Sequence, residues 1–222
     1  MKQNTKIIGI TGLARHGKDT AGRYIAEQLD YDIYSFAAPI KKITAALLGW
    51  DEHETFEHSK EVAIPANFTA KTITRALAVA VEYGLTDYAK SVGSGVDMLE
   101  LLDILGVSSG DCISPRQAWQ LAGTEWGRLR IHEDVWVSLA PTTGIVICDV
   151  RFDSEADYLR SVGCQIIHVH NPRVTGEAGV ASHASEAGVS KLPEDLVLVN
   201  DSTIVNLQLK CLELLRVINN VD

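Results

Sequence analysis

Nowhere in its 222 residues does the chain carry an apolar run of membrane-spanning length, and cationic side chains are scarce, with 20 Lys and Arg against 29 Asp and Glu. The first lack leaves no candidate span, which would take about 20 consecutive apolar residues. Met1-Lys2-Gln3-Asn4-Thr5 leads directly into a strand pattern, so no signal peptide is expected and the protein is read as intracellular, in the cytoplasm. The second lack gives a net charge of −9 and argues against a nucleic-acid polymer as partner, because no basic face is available to displace counterions. Small anions stay open as ligands, since local backbone nests and a few arginines capture them whatever the overall charge. Cysteine is also sparse. Cys112, Cys148, Cys164 and Cys211 form no C-x-x-C pair, and the last three lie in apolar segments, so reduced and buried thiols are expected. No Ser-His-Asp order, zinc-ligand spacing, internal repeat or domain linker appears.

What is present is a hydrophobic content of 46%, enough for a single domain over 1–222 with a well-buried core. The chain is organised around Gly12-Leu13-Ala14-Arg15-His16-Gly17-Lys18-Asp19-Thr20, which follows the apolar stretch Lys6-Ile7-Ile8-Gly9-Ile10-Thr11. Strand, glycine-bracketed turn and helix in that order make a phosphate-binding loop. Successive backbone N–H groups at a helix N-terminus form an anion nest, and Lys18 adds a mobile charge for outer phosphate oxygens. Asp19 stands where Ser or Thr more often follows the lysine, with Thr20 next. Three roles are open to this carboxylate: offsetting phosphate binding, holding a metal through water, or orienting Lys18 and Arg15.

Further along, a helix is expected from Lys18 to Leu29, a strand over Tyr31–Phe36 and a helix from Pro39 to Leu48. From about 50 to 113 the pattern turns helical, around Thr72–Tyr83 and Val96–Leu105, and reads as an insertion between sheet elements. Its acidic start holds Asp51, His53, Glu54 and His58, at spacings that suit a solvated surface better than a metal site. Ser114-Pro115-Arg116-Gln117 is a capping box, with Gln117 reaching back. In the helix that follows, Arg116, Gln120, Gly123 and Thr124 share one stripe, while Ala118, Leu121, Ala122, Trp126 and Leu129 make a core stripe. An Arg, an amide, a Gly and a hydroxyl together suit a ligand-facing surface.

Ile145–Cys148 reads as a buried parallel strand ending in Asp149-Val150-Arg151. Ligands of open α/β sheets lie outside the carboxyl ends of strands, so Asp149 falls on the edge that holds the phosphate loop, where an acid can hold magnesium. Asp153 and Ser154 are expected to cap a helix from about Glu155 to Ser161. Gln165–His170 is a strand whose His168 and His170 are assigned structural roles, and the Gly- and Ser-rich stretch at about 172–192 reads as a lid. Leu196–Val199 is the last strand, and Asp201 or Ser202 is the expected cap of a terminal helix. The fold class is α/β, with three αβα layers and a mainly parallel sheet.

A phosphate loop, a strand-end acid and arginines on three further elements (Arg116, Arg151 and Arg173) point to phosphoryl transfer, which needs positioning, a metal and positive charge. A hydrolytic switch would need only the loop and a water-orienting residue. A kinase needs a second anion site, and the Arg116 helix suits it.

In these residues the sequence resembles the phage-type deoxynucleoside monophosphate kinases, within the P-loop nucleoside monophosphate kinases. The likeness is carried by Gly17-Lys18-Asp19-Thr20, Arg116-Gln117-Ala118-Trp119-Gln120-Leu121-Ala122-Gly123-Thr124, Trp136-Val137, Asp149-Val150-Arg151 with Glu155, and Ile167-His168-Val169 leading to His183-Ala184-Ser185-Glu186-Ala187-Gly188. The 50–113 stretch matches poorly. The resemblance implies a P-loop kinase that moves phosphate from ATP to a deoxynucleoside 5′-monophosphate with Mg2+, in a host cytoplasm if phage-encoded. On this chain, Gly12, Gly17, Lys18, Asp19 and Thr20 would hold ATP, and Asp19, Thr20 and Asp149 the metal. Lys18, Arg15, Asp149 and Arg151 would be the catalytic set. Arg116, Gln117, Gln120, Gly123, Thr124, Trp136 and Glu155 would serve the monophosphate. Two positions depart from the family pattern: His16 stands where a small Ser is common, and Gln117 where a second cation can occur. The insertion has two open roles, a homodimer contact or a substrate cover. Two competing readings are another small-molecule P-loop kinase, such as dephospho-coenzyme A kinase, and a regulatory ATPase that signals through the insertion.

Overall fold

In the computed structural model, which describes residues 7–51, 60–174 and 188–219, the chain forms two compact units. One joins Met1–Ser35 to Pro141–Asp222, and the other is Phe36–Ala140. The second unit is longer than the 50–113 insertion and takes in both the helix after Phe36 and the Arg116 helix. The acidic stretch with His53, Glu54 and His58, and most of the lid segment including His183–Ala187, lie outside the described residues. No described helix is long and apolar enough to cross a membrane.

The first unit is built on a five-stranded parallel sheet. In chain order its strands are β1 (Ile8–Thr11), β2 (Asp32–Tyr34), β5 (Ile145–Ile147), β6 (Gln165–His170) and β7 (Leu196–Val199). They stand side by side as β2-β5-β1-β6-β7. Central β1 is buried throughout, pairing Gly9 with Ile147 on one side and with Ile166 on the other. Alternation along the strand splits its contacts between faces. Ile8 and Ile10 join a core with Ala21, Ile25 and Ala26 of helix α1 (Lys18–Leu29) and Leu207, Cys211, Leu214 and Leu215 of helix α9 (Ile204–Asn219). On the opposite face Gly9 lies under Ile166, Val150 and Leu159, the last from helix α8 (Asp153–Ser161). Helices on both faces of a parallel sheet give the three expected layers.

Several boundaries shift for identifiable reasons. Helix α8 starts at Asp153, after Phe152, because Glu155 rather than Asp153 or Ser154 satisfies the backbone at its start. The Asp153 carboxylate instead accepts from the N–H and hydroxyl of Ser190. Helix α9 is capped by Thr203, whose hydroxyl accepts from Asn206 N–H, while Asp201 pairs with Lys210.

The second unit is mainly helical: α2 (Ala38–Leu48), α3 (Ala70–Glu82), α4 (Leu85–Ser91), α5 (Met98–Leu105), α6 (Pro115–Gln120) and α7 (Val135–Ser138). A two-stranded antiparallel ribbon, β3 (Ile64–Pro65) with β4 (Cys112–Ile113), is too short for any periodicity to reveal. Helix α6 passes without a break into Leu121–Ile131, an 11-residue segment in the wider π geometry. This corrects the α-helical stripes. Ala118, Ala122 and Trp126 are buried as expected, but Leu129 is 69% exposed because a wider turn rotates it out of the core.

Candidate active site

The turn from β1 into α1 is closed by three residues with positive φ: Gly12 at 150°, Arg15 at 65° and Gly17 at 92°. At Gly12 a Cβ would run into the carbonyl oxygen of Val169, so the close approach of the loop to the end of β6 demands glycine. Arg15 occupies the left-handed region at a cost of about 1–2 kcal/mol, which the surrounding fold must offset. Its side chain points to solvent, as do Asp19 and Thr20 in the first turn of α1. Gly17 precedes that helix, and α1 then presents free N–H groups and its positive dipole end to the loop.

Beneath the loop the carboxyl end of β5 brings up the strand-end acid. Register pairs Tyr34 of β2 with Ile147 of β5, which sets Ser35 beside the residues that follow β5. The Ser35 hydroxyl donates to Asp149 Oδ2 at 2.6 Å. Between β5 and α1, Gly22 packs directly against the Cys148 sulfur. Burial pushes the Cys148 thiol up to about 12, Asp19 and Asp149 add to the rise, and Arg23 and Lys18 oppose it. Four charges of the loop, the helix and the strand end therefore act on one sulfur. Asp19 and Asp149 with the Thr20 hydroxyl are hard oxygen donors of the kind magnesium takes.

Arg151 is exposed, and its backbone N–H and that of Phe152 donate to Glu155 Oε2 at 2.9 and 3.2 Å. Glu155 is 5% exposed, so this carboxylate shapes the turn that carries Arg151. Nearby, Asp195 gathers Arg160, through Nε at 3.2 Å and Nη2 at 2.6 Å, His168 Nε2 at 3.0 Å and the Leu192 N–H at 2.8 Å. Burial pushes the Asp195 carboxyl up, but Arg160, the Leu192 N–H and His168 outweigh it and hold it below the ordinary carboxylate value. With Asp153 on Ser190, this anchors residues 190–195 to α8.

In the second unit, Ser114 Oγ accepts from Gln117 N–H and starts α6 as expected. Arg116, Gln117, Gln120 and Thr124 are exposed. The Arg116 guanidinium is paired with Glu61, both well exposed, and the Arg116 backbone N–H donates to the Lys60 carbonyl oxygen. Gly123 and Trp136 lie beneath the exposed residues rather than among them. Trp136 is 2% exposed, donates to the Gly123 carbonyl at 2.7 Å and abuts Gly127, where no side chain would fit. Its ring is therefore closed to direct stacking and bears on the helix backbone instead.

Ser35 and Asn200 escaped sequence reasoning. Neither belongs to a motif; each is found only once the parallel order sets the ends of β2 and β7 beside β5 and β6.

A strand, a glycine-bracketed turn and a helix within a parallel sheet flanked by helices define an α/β fold with three layers. The family model described as deoxynucleotide monophosphate kinase matches residues 6–84 and 69–211. The deoxynucleotide monophosphate kinase of Enterobacteria phage T4 is 25% identical over 246 residues, covering 96% of this chain and 100% of that protein. The deoxynucleoside-5′-monophosphate kinase of Escherichia phage T5 is 28% identical over 179 residues, covering 69% and 71%. A solved sugar kinase from Janibacter sp. HTCC2649 covers 96% of this chain and 95% of its own, at 14% identity and a TM-score of 0.39, too loose a superposition to define shared detail. The chain belongs to the deoxynucleotide monophosphate kinase family. It is an enzyme, a phosphotransferase acting on deoxynucleoside monophosphates.

Proposed function

We propose that the donor is ATP, bound as its Mg2+ complex at Gly12–Thr20, and that Arg116 and its helix take the monophosphate. The carrying observation is that the turn closed by Gly12, Arg15 and Gly17 delivers Lys18 and Asp19 at the start of α1, while Cys148, packed against Gly22 of the same helix, carries the adjacent Asp149, held by Ser35, to that sheet edge. In the reaction an oxygen of the acceptor phosphate bonds to the γ-phosphorus and the bond to the β,γ-bridging oxygen breaks, giving ADP and a deoxynucleoside diphosphate. Lys18 and the loop N–H groups hold the donor phosphates. Arg15 and Arg151, both exposed beside this edge, spread positive charge over the moving group. Asp149, oriented by Ser35, with Asp19 and Thr20 would hold magnesium, which when bound neutralises charge on the phosphate oxygens.

On the acceptor side an exposed ion pair is weak, so the Glu61 carboxylate is readily exchanged for a substrate phosphate on Arg116. Gln117, Gln120 and Thr124 supply hydrogen bonds to sugar and base. Gly123 and Trp136 hold the backbone that presents them, and Glu155 fixes the Arg151 turn.

Steady-state kinetics of two variants test these assignments. Lys18→Ala should lower kcat/KM for ATP by at least about 100-fold, whereas Arg116→Ala should raise KM for the monophosphate about 10-fold or more and leave ATP binding within twofold. Unchanged acceptor kinetics in Arg116→Ala would remove that helix from the acceptor site.

A further inference from the structure

The phosphate loop is held in shape by contacts that come from outside it. The buried His16, 4% exposed, turns its ring inward, and its Nδ1 accepts the N–H of Asn171 at 3.3 Å, just beyond the end of β6. The Val169 carbonyl lies 3.4 Å from the same nitrogen. A single ring nitrogen cannot accept and donate at once, and the backbone N–H is a fixed donor. Nδ1 therefore serves Asn171 as an acceptor, which ties the ring to the chain just past β6. At the other end of the same residue, Asn200 Nδ2 donates to the His16 carbonyl at 3.0 Å and lies against Gly17. Asn200 is itself tied to β6, through its N–H to the His170 carbonyl at 2.8 Å. The His170 ring meets the His16 ring edge-on, with centroids 5.5 Å apart. Within the loop, the His16 N–H reaches the Leu13 carbonyl at 3.3 Å. His16 thus fastens the strained Arg15 turn to the ends of two strands. Through Asn171, whose Oδ1 accepts the Arg173 N–H at 2.9 Å, it also fastens the turn that leads to Arg173.

From these contacts we infer that His16 and Asn200 are positioning residues for the donor phosphates, setting the affinity of the nest from behind without touching the ligand. A nest works when its N–H groups already point at the anion, so loosening the loop returns an ordering cost to each binding event. The inference rests on the reading of Gly12–Thr20 as the ATP site and adds the residues that shape it.

The test is calorimetric titration of the full-length protein with Mg2+ and ATP, paired with steady-state kinetics. His16→Ala, which loses the acceptor, and Asn200→Asp, which loses the donor, should each weaken ATP binding about 10-fold, the equivalent of ~1.4 kcal/mol. KM for the monophosphate should move less than twofold. In His16→Asn the amide oxygen falls where Nδ1 stood and should restore binding to within about threefold of wild type, whereas His16→Gln, whose oxygen lies further out, should not. Wild-type affinity in both His16→Ala and Asn200→Asp, or equal rescue by Asn and Gln, would overturn the inference. Should His16→Ala fail to fold, Asn200→Asp at the half-buried strand end carries the same comparison. A wild-type protein that binds no ATP would instead strike down the donor-site reading, a separate failure.

Discussion

At the scale of single residues, the turn between β1 and α1 is shaped by the positive φ of Gly12, Arg15 and Gly17 and by contacts from far along the chain, Asn171 and Asn200 lying 155 and 184 positions away from His16. Close packing beneath the loop makes a sharp prediction. In Gly22→Ala the new methyl would collide with the Cys148 sulfur and should destabilise the protein by about 1–3 kcal/mol, read as a lowered midpoint of urea unfolding. The four cysteines give a second one. Cys112 is exposed, while Cys148, Cys164 and Cys211 are buried, with their thiols pushed up by burial to about 12, about 12 and about 11. Titration of the native protein with a thiol-specific chromogenic disulfide should modify one cysteine quickly, and all four only in denaturant; rapid modification of a second native thiol would contradict the burial.

At the scale of elements, long patterns survived the transfer from sequence to structure. The strand at Gln165–His170, the strand at Leu196–Val199 and helix Lys18–Leu29 have the bounds their patterns suggested. What failed was local chemistry with competing partners. Asp153 looked like a cap but serves Ser190, because Glu155 accepts from the N–H groups at the helix start. The π segment at 121–131 could not be read because nothing in its composition announces a wider turn. Asp195 shows an element-level dependence on pH. Its carboxyl is held below the ordinary value, so the stability it contributes is present above that value and is lost as pH falls through the folded one. Wild type should lose thermal stability steeply below about pH 4. Asp195→Asn should begin about 2–3 kcal/mol less stable at neutral pH and show a flatter acid limb. Parallel acid limbs in the two proteins would remove Asp195 from that role.

At the scale of the whole molecule, the chain divides its predicted chemistry between its units. The phosphate loop, Asp149, Arg151 and Glu155 belong to the sheet unit, and Arg116, Gln117, Gln120, Thr124 and Trp136 to the helical one. The size of the helical unit was underestimated from sequence because α2 continues the apolar pattern of the opening βαβα without any break in composition. The Arg116 pair with Glu61 was invisible for a related reason, since a short ribbon brings that carboxylate near. Glu61→Gln should free the guanidinium and lower KM for the monophosphate about two- to threefold, with ATP affinity unchanged; a raised KM would show that Glu61 helps hold substrate.

The most direct measurement is the initial rate of ADP formation from ATP and Mg2+ with each of a panel of deoxynucleoside monophosphates, ribonucleoside monophosphates and dephospho-coenzyme A. Turnover should be stimulated by at least one deoxynucleoside monophosphate, matched by an equal yield of its diphosphate and absent in Lys18→Ala. ATP turnover indifferent to every deoxynucleoside monophosphate, or stimulated by dephospho-coenzyme A alone, would contradict this.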